Sequence, residues 1–253
     1  MKILVEVTVS HHPVYGLSLQ ITDIDPTYTL GDIERQKEIT IARLKADGVW
    51  DMNRELAVPR VVQRVAVVSS ATAAGYQDFM QELIHSPYRI DTELFEATMQ
   101  GESSEQSIVD ALTAIAEREE EFDAVAIIRG GGSTTDLECF NAYLTALCVA
   151  QFPLPVVTGI GHDKDTSVMD LVACVEQKTP TAVADFLVDR MREFDGWLTQ
   201  TEVQLSQRVA DVVARWRSEI ASREEMLRMT VVHLLERQRD ALLRAEMLVA
   251  ASD

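Results

Sequence analysis

The 253-residue sequence lacks several features that would place it in a special class of protein. No uninterrupted apolar run approaches the ~20 residues of a transmembrane helix, and the N-terminus does not have the pattern of a signal peptide. We therefore expect a cytoplasmic protein with no membrane partner. The chain has only three cysteines and no CxxC pair, so we expect all three thiols to be reduced and structural. Hydrophobic residues make up 47% of the chain, which is enough for a sizeable core.

Basic residues are also much fewer than acidic residues. The chain has 23 Lys and Arg against 41 Asp and Glu, which gives a formal net charge of −18. Because proteins grip nucleic-acid phosphates through clustered Lys and Arg, this charge argues at first against a nucleic-acid partner. The acidity is concentrated before residue 186, since residues 186–253 hold 10 basic and 12 acidic side chains.

Residues 1–60 predict a hairpin followed by a connector. Two β-rich runs, ILVEVTV and LSLQITDI, flank the turn-like HHPVYG, so residues 1–30 are expected to form a β-hairpin. A lone hairpin is marginally stable, so we expect it to pack on other elements or further strands. Residues 31–60 predict a connector helix, ending at Gly48, and a linker.

Residues 61–185 alternate between β-branched runs and helical patterns. The strand-like runs are VVQRVAVVS, TELFEATM, FDAVAIIR and LPVVTGI, with helices expected near 75–86, 104–121 and 137–151. This order predicts a Rossmann-like α/β domain, in which helices cover both faces of a mostly parallel sheet. Ligands of such sheets bind beyond the carboxyl ends of the strands. The segments SSATAAG, RGGGS and GIGHDKD all follow strands, so they mark the candidate site.

Residues 186–253 contain no proline and only Gly196. Their apolar positions recur in steps of three, four and seven, which predicts long helices with one apolar stripe. A coiled-coil hairpin, a docking helix for another chain and one face of an ordinary helical subdomain all remain open.

The RGGGS loop suits an anion. Consecutive glycines allow backbone N–H groups to close on a ligand oxygen, and the start of the following helix adds positive potential. Arg129 at the strand end favours bidentate recognition of a phosphate. The alternative is a tight strand-to-helix turn with no ligand. The residues predicted to bind phosphate here are Gly130, Gly131, Gly132 and Ser133.

GIGHDKDT crowds titratable side chains after the next strand. His162 can act as a general acid or base near neutral pH, and Asp165 can orient its imidazole or hold a metal. Lys164 adds a positive charge for phosphate. Asp78 follows Gly75 and is expected to reach the same crevice, although a solvated Asp in a first helical turn is an equal alternative.

These segments resemble the large subunit of exodeoxyribonuclease VII. The family's ordered motifs appear here as SSATAAGYQD, RGGGSTTDLECF, GIGHDKDTSVMD and TPTAVAD. The resemblance implies a nuclease that degrades single-stranded DNA from either end to short oligonucleotides, together with several copies of a small subunit bound through the C-terminal helices. It also implies that residues 1–24 are only the last strands of an oligonucleotide-binding (OB-fold) barrel. Most of the surface that grips DNA would then be absent from this chain, which would explain its acidic charge.

The resemblance implies a role for each motif residue. The catalytic set is Asp78, Arg129, His162 and Asp165, with Asp136 and Asp163 as supports and Thr179 and Thr181 as further phosphate contacts. Four positions depart from the family pattern: Ala73 replaces Gly, Asp163 replaces Glu, Cys174 replaces Asp and Glu176 replaces Arg. These departures affect the grip on substrate more than the chemistry.

Cofactor use and two other functions stay open. Asp78, Asp163 and Asp165 could hold Mg²⁺, or Arg129 and His162 could manage the phosphoryl charge without a metal. A hydrolase or transferase acting on a small nucleotide or sugar phosphate would use the same loops. A non-catalytic helical scaffold would use none of them.

Overall fold

The structure is a computed structural model that describes residues 4–12, 16–101, 103–130, 138–160 and 166–250. The chain divides into two units, Met1–Phe194 and Asp195–Asp253. Among the described residues, no helix combines the length and apolarity that crossing a bilayer would require.

The predicted N-terminal hairpin and connector helix are both present, but the helix begins at Pro26, within the range predicted for the hairpin. Strand β1 (Leu4–His12) pairs antiparallel with β2 (Gly16–Asp25), and α1 (Pro26–Ala46) follows. Gly48 has a φ of +72°, a left-handed conformation that glycine adopts without strain, and α1 ends just before it. Leu44 is fully buried and anchors the end of α1 in the core.

A five-stranded parallel sheet forms the centre of the first unit. Its strands are β3 (Arg64–Ser69), β4 (Asp91–Glu96), β5 (Ala124–Ile128), β6 (Val156–Gly159) and β7 (Val175–Glu176). Their order is β4-β3-β5-β6-β7, and every neighbouring pair is parallel. The predicted α/β fold class is therefore confirmed.

In the described residues, five α-helices and a 3-10 turn (Glu119–Glu121) connect these strands. The α-helices are α2 (Ala74–His85), α3 (Ser104–Ala116), α4 (Glu138–Asn141), α5 (Tyr143–Ala150) and α6 (Val168–Val172). The single helix predicted near 137–151 is two helices, because Ala142 between them has an extended backbone (φ −67°, ψ 143°). The sequence did not predict α6 or β7, which are too short to show a period.

Helices cover both faces of the sheet, and adjacent residues of β3 show the division. Ala66 and Val68 face a core that includes residues of α1, α3, α4, α5 and α6. Val65 and Val67 face a second core with Phe79 of α2. β3 is buried from Val65 to Ser69 because both faces are covered, which is typical of parallel sheets.

The last helix, α7 (Pro180–Ala250), is continuous over 71 residues. It begins before Phe186, where the sequence analysis placed the helical segment, and the division between the two units lies inside it. The described residues of this segment form one helix without a turn, so the long helix predicted here is present. A single docking helix is compatible with this geometry.

Asn53, which the sequence analysis did not single out, joins the ends of three chain segments. Its side chain is fully buried, and its Nδ2 donates hydrogen bonds to the carbonyl oxygens of Phe152 (3.0 Å) and Leu154 (2.8 Å). Its Oδ1 accepts from the amides of Val156 (3.1 Å) and Cys174 (2.9 Å). The side chain thus fixes the start of β6 and the approach to β7.

Candidate active site at the carboxyl edge of the sheet

The strand order creates a crevice at the carboxyl ends of β3 and β5. From β3 the chain moves outward to β4 on one side, and then returns to β5 on the other side. The connections that follow β3 and β5 therefore lead to opposite sides of the sheet. This reversal of strand order is called a switch point, and open α/β sheets bind ligands there. A cleft of about 570 Å³ lies here, lined by Ser70, Thr72, Ala73, Ala74, Glu96, Ala97, Thr98, Met99, Gln100, Ser107, Arg129 and Gly130.

Two glycines bring the loops after β3 and β5 into backbone contact. A Cβ atom built at Gly75 would lie 2.7 Å from Cα of Gly130, and one at Gly130 would lie 2.9 Å from the amide nitrogen of Gly75. Neither contact leaves room for a side chain, so both positions require glycine because the two backbones lie so close together. This contact holds the first glycine of RGGGS against the start of α2.

A third glycine brings α7 to the same edge. A Cβ at Gly159, the last residue of β6, would lie 2.6 Å from Val183 Cγ2 and 3.0 Å from the carbonyl oxygen of Thr179. Pro180 also approaches the cleft region, since its Cγ would lie 2.8 Å from a Cβ at Gly75. The first turn of α7 therefore packs next to the strand ends that carry the candidate site.

Arg129 lies in the cleft and is largely buried, with 6% of its surface exposed. Its backbone N–H donates a hydrogen bond to the carbonyl oxygen of Gly159 (3.2 Å), which fixes where the side chain starts. Burying a guanidinium is costly unless other groups compensate it. Arg129 interacts with other groups of the chain, which compensate part of this cost.

The charge of Arg129 acts on a neighbouring thiol. Burial raises the pKa of Cys139, and the positive charge of Arg129 opposes part of that rise. Burial also raises the pKa of Cys148 and Cys174. All three cysteines are free thiols in this structure.

Ser69 links the three strands that frame the cleft. Its Oγ donates to the carbonyl oxygen of Ile128 on β5 (2.9 Å), and its own carbonyl oxygen accepts from the amide of Ala97 after β4 (2.9 Å). Ser69 is fully buried. The sequence offered a weak signal for it, a serine at the end of an otherwise apolar strand.

Thr179 and Thr181 cap the start of α7. Thr179 Oγ1 accepts a hydrogen bond from the amide of Ala182 (3.1 Å) and lies 2.9 Å from Thr181 Oγ1. With Pro180 as the first helical residue, this is an ordinary helix N-cap. The hydroxyls therefore have a structural role, and the contact with phosphate that the resemblance implies stays a prediction.

Asp78 lies on the second turn of α2 with an exposed side chain, and the cleft lining does not include it. The other predicted site residues fall outside the described residues, namely Gly131, Gly132, Ser133, Asp136, His162, Asp163, Lys164 and Asp165. The structure thus brings Arg129 and Gly130 together with the loop after β3. In the described ranges, no three His, Cys, Asp or Glu side chains form a metal-type cluster.

The chain that follows residue 165 is firmly anchored. Ser167 and Asp170 form a reciprocal cap at the start of α6: Ser167 N–H and Oγ–H donate to Asp170 Oδ2 (2.9 and 2.7 Å), and the Asp170 amide donates to Ser167 Oγ (3.2 Å). Both residues are buried. The Val168 amide donates to Asn141 Oδ1 (3.0 Å), which ties α6 to α4.

Three departures from the family pattern occupy structured positions. Glu176, at the end of β7, accepts a hydrogen bond from Thr166 Oγ1 (3.2 Å). Cys174 donates its S–H to the carbonyl oxygen of Leu56 (3.0 Å). Ala73 lines the cleft directly before α2. Glu176 and Cys174 thus have partners within the fold.

The family comparison covers most of the chain. Residues 49–252 match the family described as "Exonuclease VII, large subunit". The matched range includes the whole parallel sheet and all of α7. The β-hairpin lies outside it.

Individual relatives agree with this match. The chain is 41% identical over 192 residues to the "Exodeoxyribonuclease 7 large subunit" of Deinococcus radiodurans, which covers 74% of this chain and 46% of the relative. It is 38% identical over 165 residues to the protein of the same name from a Nostoc species (65% of this chain, 40% of the relative). The one from Lactobacillus helveticus is 34% identical over 164 residues (65% and 37%).

The chain spans less than half the length of these curated relatives. The family's motifs follow parallel strands, and Arg129 of one motif lies in the cleft at the switch point. The fold is therefore consistent with the sequence match. The chain belongs to the exonuclease VII large subunit family.

Proposed function

We propose that this chain is the catalytic core of a nuclease that hydrolyses phosphodiester bonds of single-stranded DNA from either end, giving short oligonucleotides. The observation that carries the proposal is the position of Arg129 and Gly130 in the switch-point cleft, where two loops meet in backbone contact. Family membership supplies the reaction class.

The described residues supply phosphate recognition in this reaction. Arg129 presents a planar guanidinium to the cleft, and such a group binds a phosphoryl oxygen pair and neutralises charge that develops in the transition state. Gly130 lets the backbone approach the same phosphate closely, because it has no Cβ. The contact of Gly130 with Gly75 limits how far the loop can relax when the phosphate leaves.

Proton transfer is assigned to residues that follow β6. His162 would act as general base or acid, Asp165 would orient its imidazole, and Asp78 would approach from α2. The reciprocal cap of Ser167 and Asp170 supports this assignment, because it anchors the chain directly after Asp165.

Mg²⁺ use is part of the proposal to be tested. Asp78 is the one described member of the predicted metal set, which also includes Asp163 and Asp165. A hard divalent cation would supply charge stabilisation to the phosphoryl group. Arg129 and His162 would perform the same task without a metal, and the two forms differ in their response to a chelator.

We also propose that the second unit binds several copies of the small subunit. In Asp195–Asp253, α7 exposes large apolar side chains at helical spacing, including Val209 (55%), Trp216 (63%) and Leu227 (66%). An exposed apolar stripe of this length suits a helical partner. The name "large subunit" in the family description supports the existence of a smaller one.

One experiment tests the nuclease proposal. End-labelled single-stranded DNA is incubated with this chain, alone and with the family's small subunit, with Mg²⁺ and with chelator. We expect cleavage, and its loss in His162→Ala; the lane with chelator decides between the two forms of the mechanism. DNA left intact under every condition would contradict the proposal, as would cleavage by His162→Ala at the wild-type rate.

The cleft also supports a second candidate, a hydrolase or transferase acting on a small nucleotide or sugar phosphate. Its volume of about 570 Å³ is within the range of small-ligand sites, and the net charge of −18 opposes a polyanion. Salt separates the two candidates. Polymer binding weakens steeply as salt rises, whereas binding of a small phosphate changes less.

A further inference from the structure

Glu96 lies on the opposite side of the cleft from Arg129. It is the last residue of β4, pairs in register with Ser69 of β3, and lines the same cavity as Arg129 and Gly130. Neither composition nor motif spacing drew attention to it. Its place at a strand end in the cleft is decided by the topology of the sheet.

The carboxylate of Glu96 is available to a ligand. The side chain is exposed, and in the described part of the chain it forms no hydrogen bond or ion pair. Glu93, three residues earlier on the same strand, differs, because Arg118 binds both of its oxygens (2.6 and 2.9 Å). Glu96 therefore presents hydrogen-bond acceptor oxygens to the cleft.

The sheet sets the distance between the two charged groups. β3 lies between β4 and β5, so Glu96 and Arg129 start two strand spacings apart, or ~10 Å. Both side chains are long and line one cavity. A ligand that met both would carry an anionic group at one end and a hydrogen-bond donor at the other, as a nucleotide does with its phosphate and sugar hydroxyl.

A general rule of α/β folds agrees with this arrangement. In many nucleotide-binding units the phosphate lies at the loop after the first strand, and an acidic residue at the end of the second strand accepts from a sugar hydroxyl. Here β3, α2 and β4 form such a unit, and Glu96 stands at the end of its second strand. The proposed phosphate position differs from the rule, because Arg129 and Gly130 follow the adjacent strand β5, where Gly130 contacts Gly75 at the start of α2. The loop differs from the glycine pattern of dinucleotide sites.

The chemistry of Glu96 selects among nucleotides. A carboxylate repels a neighbouring phosphodiester and accepts strongly from a hydroxyl. Sugars inside a DNA strand have no free hydroxyl, whereas a 3′-terminal nucleotide has one. We propose that Glu96 accepts a hydrogen bond from the free 3′-hydroxyl of a nucleotide whose phosphate lies at Arg129 and Gly130, which rests on the nuclease function proposed above.

Binding of two mononucleotides to this chain tests the proposal. The probes are deoxyadenosine 5′-monophosphate and its 2′,3′-dideoxy counterpart, which lacks the 3′-hydroxyl. A hydrogen bond to a charged acceptor predicts about tenfold tighter binding of the first probe by the wild type. In Glu96→Gln the ratio falls to a few-fold, and in Glu96→Ala it falls to about one, while affinity for the dideoxy probe is kept or improved.

Two controls separate this role from a general effect. Glu82→Gln removes an exposed carboxylate of α2 that does not line the cleft, and it keeps the wild-type ratio. Arg129→Ala weakens both probes equally. The proposal is overturned if wild type binds both probes equally, if neither probe binds, or if Glu96→Ala keeps the tenfold ratio.

Cleavage assays distinguish a strand end from a free nucleotide. If Glu96 reads the end of a strand, wild type degrades DNA ending in a 3′-hydroxyl faster than DNA ending in a 3′-phosphate, and Glu96→Ala loses this preference. If wild type has the tenfold ratio in binding but cleaves neither DNA, Glu96 recognition holds and the nuclease function fails. If wild type cleaves DNA but binds neither mononucleotide, the nuclease function holds and Glu96 recognition fails.

Discussion

The two units differ in what they do with large apolar side chains: the first unit buries them and the second exposes them. Both cases occur within the single helix α7. Val183 and Leu187 are fully buried against the parallel sheet. Further along, Leu205 is 61% exposed and Ile220 is 65% exposed, although the apolar spacing continues. Helical period marks which face is apolar, but burial depends on whether another surface meets that face.

The carboxyl edge of the sheet shows what the first unit gains from its packing. There the backbones of Gly75 and Gly130 are in contact. The backbone N–H of Arg129 donates a hydrogen bond to Gly159 at the end of β6. Such contacts position functional groups within fractions of an ångström, which chemistry at phosphorus requires. The exposed face of α7 instead suits recognition over a long surface.

Removing one arginine from each unit has the most unequal effect on activity. Arg129→Ala lowers kcat/KM on single-stranded DNA by about 10²–10³, because a donor to developing phosphoryl charge is lost. Arg208→Ala, on the exposed part of α7, changes it less than about threefold in the absence of small subunit. Equal effects of the two substitutions would place the chemistry elsewhere. Urea unfolding of both variants checks that each is folded.

Matched leucine truncations separate the two parts of α7 in stability. Leu187→Ala lowers the free energy of unfolding by about 2–5 kcal/mol, because it leaves a cavity in the core of the first unit. Leu205→Ala changes it by about 0.5 kcal/mol or less, since its side chain is already exposed. Urea titrations monitored by circular dichroism measure both. A large loss for Leu205→Ala would mean that another copy of the chain covers this face.

Two glycine substitutions have opposite signs. Gly75→Ala destabilises by about 1–3 kcal/mol, because its Cβ would meet the backbone of Gly130 at 2.7 Å. Gly196→Ala stabilises by up to about 1 kcal/mol, since Gly196 is helical and has open space around its Cβ position. Thermal unfolding compares them. The contrast fails if both variants shift Tm in the same direction.

The pH dependence of stability above pH 9 belongs to the first unit, which holds all three cysteines. Burial raises the pKa of Cys139 above that of an exposed thiol, so the folded state resists ionisation. The resulting stability is complete below the pKa of the unfolded thiol and is lost as the pH rises through the folded pKa. Urea unfolding from pH 7 to 10.5 measures the decline.

A cysteine substitution provides the control for this smallest effect. Cys139→Ala reduces the decline in stability with pH, even where it lowers stability at neutral pH by removing buried atoms. An unchanged slope would show that other groups cause it. Slow alkylation of native Cys139, compared with the urea-unfolded chain, gives an independent measure of its burial.

Much of the fold followed from local patterns in the sequence. β-Branched runs predicted β3, β5 and β6, and the absence of proline after residue 186 predicted a long helix. The start of α7 was predicted too late, because TPT was interpreted as a ligand-binding loop although Thr179 also caps the helix. Short elements such as α6 carry too few residues for a period to appear.

The site was predicted in part. The order of motifs placed Arg129 and Gly130 at a strand end, and the structure puts both in the cleft. Glu96 could not be found in this way, and Ser69, although it begins the segment SSATAAG, gave no sign of its hydrogen bond to β5. Each looks like an ordinary strand residue, and its role depends on a neighbouring strand distant in the chain.

By itself the sequence determined most of the longer strands and helices, the family's motif residues and the apolar face of α7, because these depend on local backbone preference and residue spacing. The tertiary structure decided which strand ends meet, so Gly75 touches Gly130 and Glu96 shares a cleft with Arg129. It also decided that Leu187 is buried and Leu205 is exposed. Contacts between residues far apart in the chain follow from strand order, which no local pattern specifies.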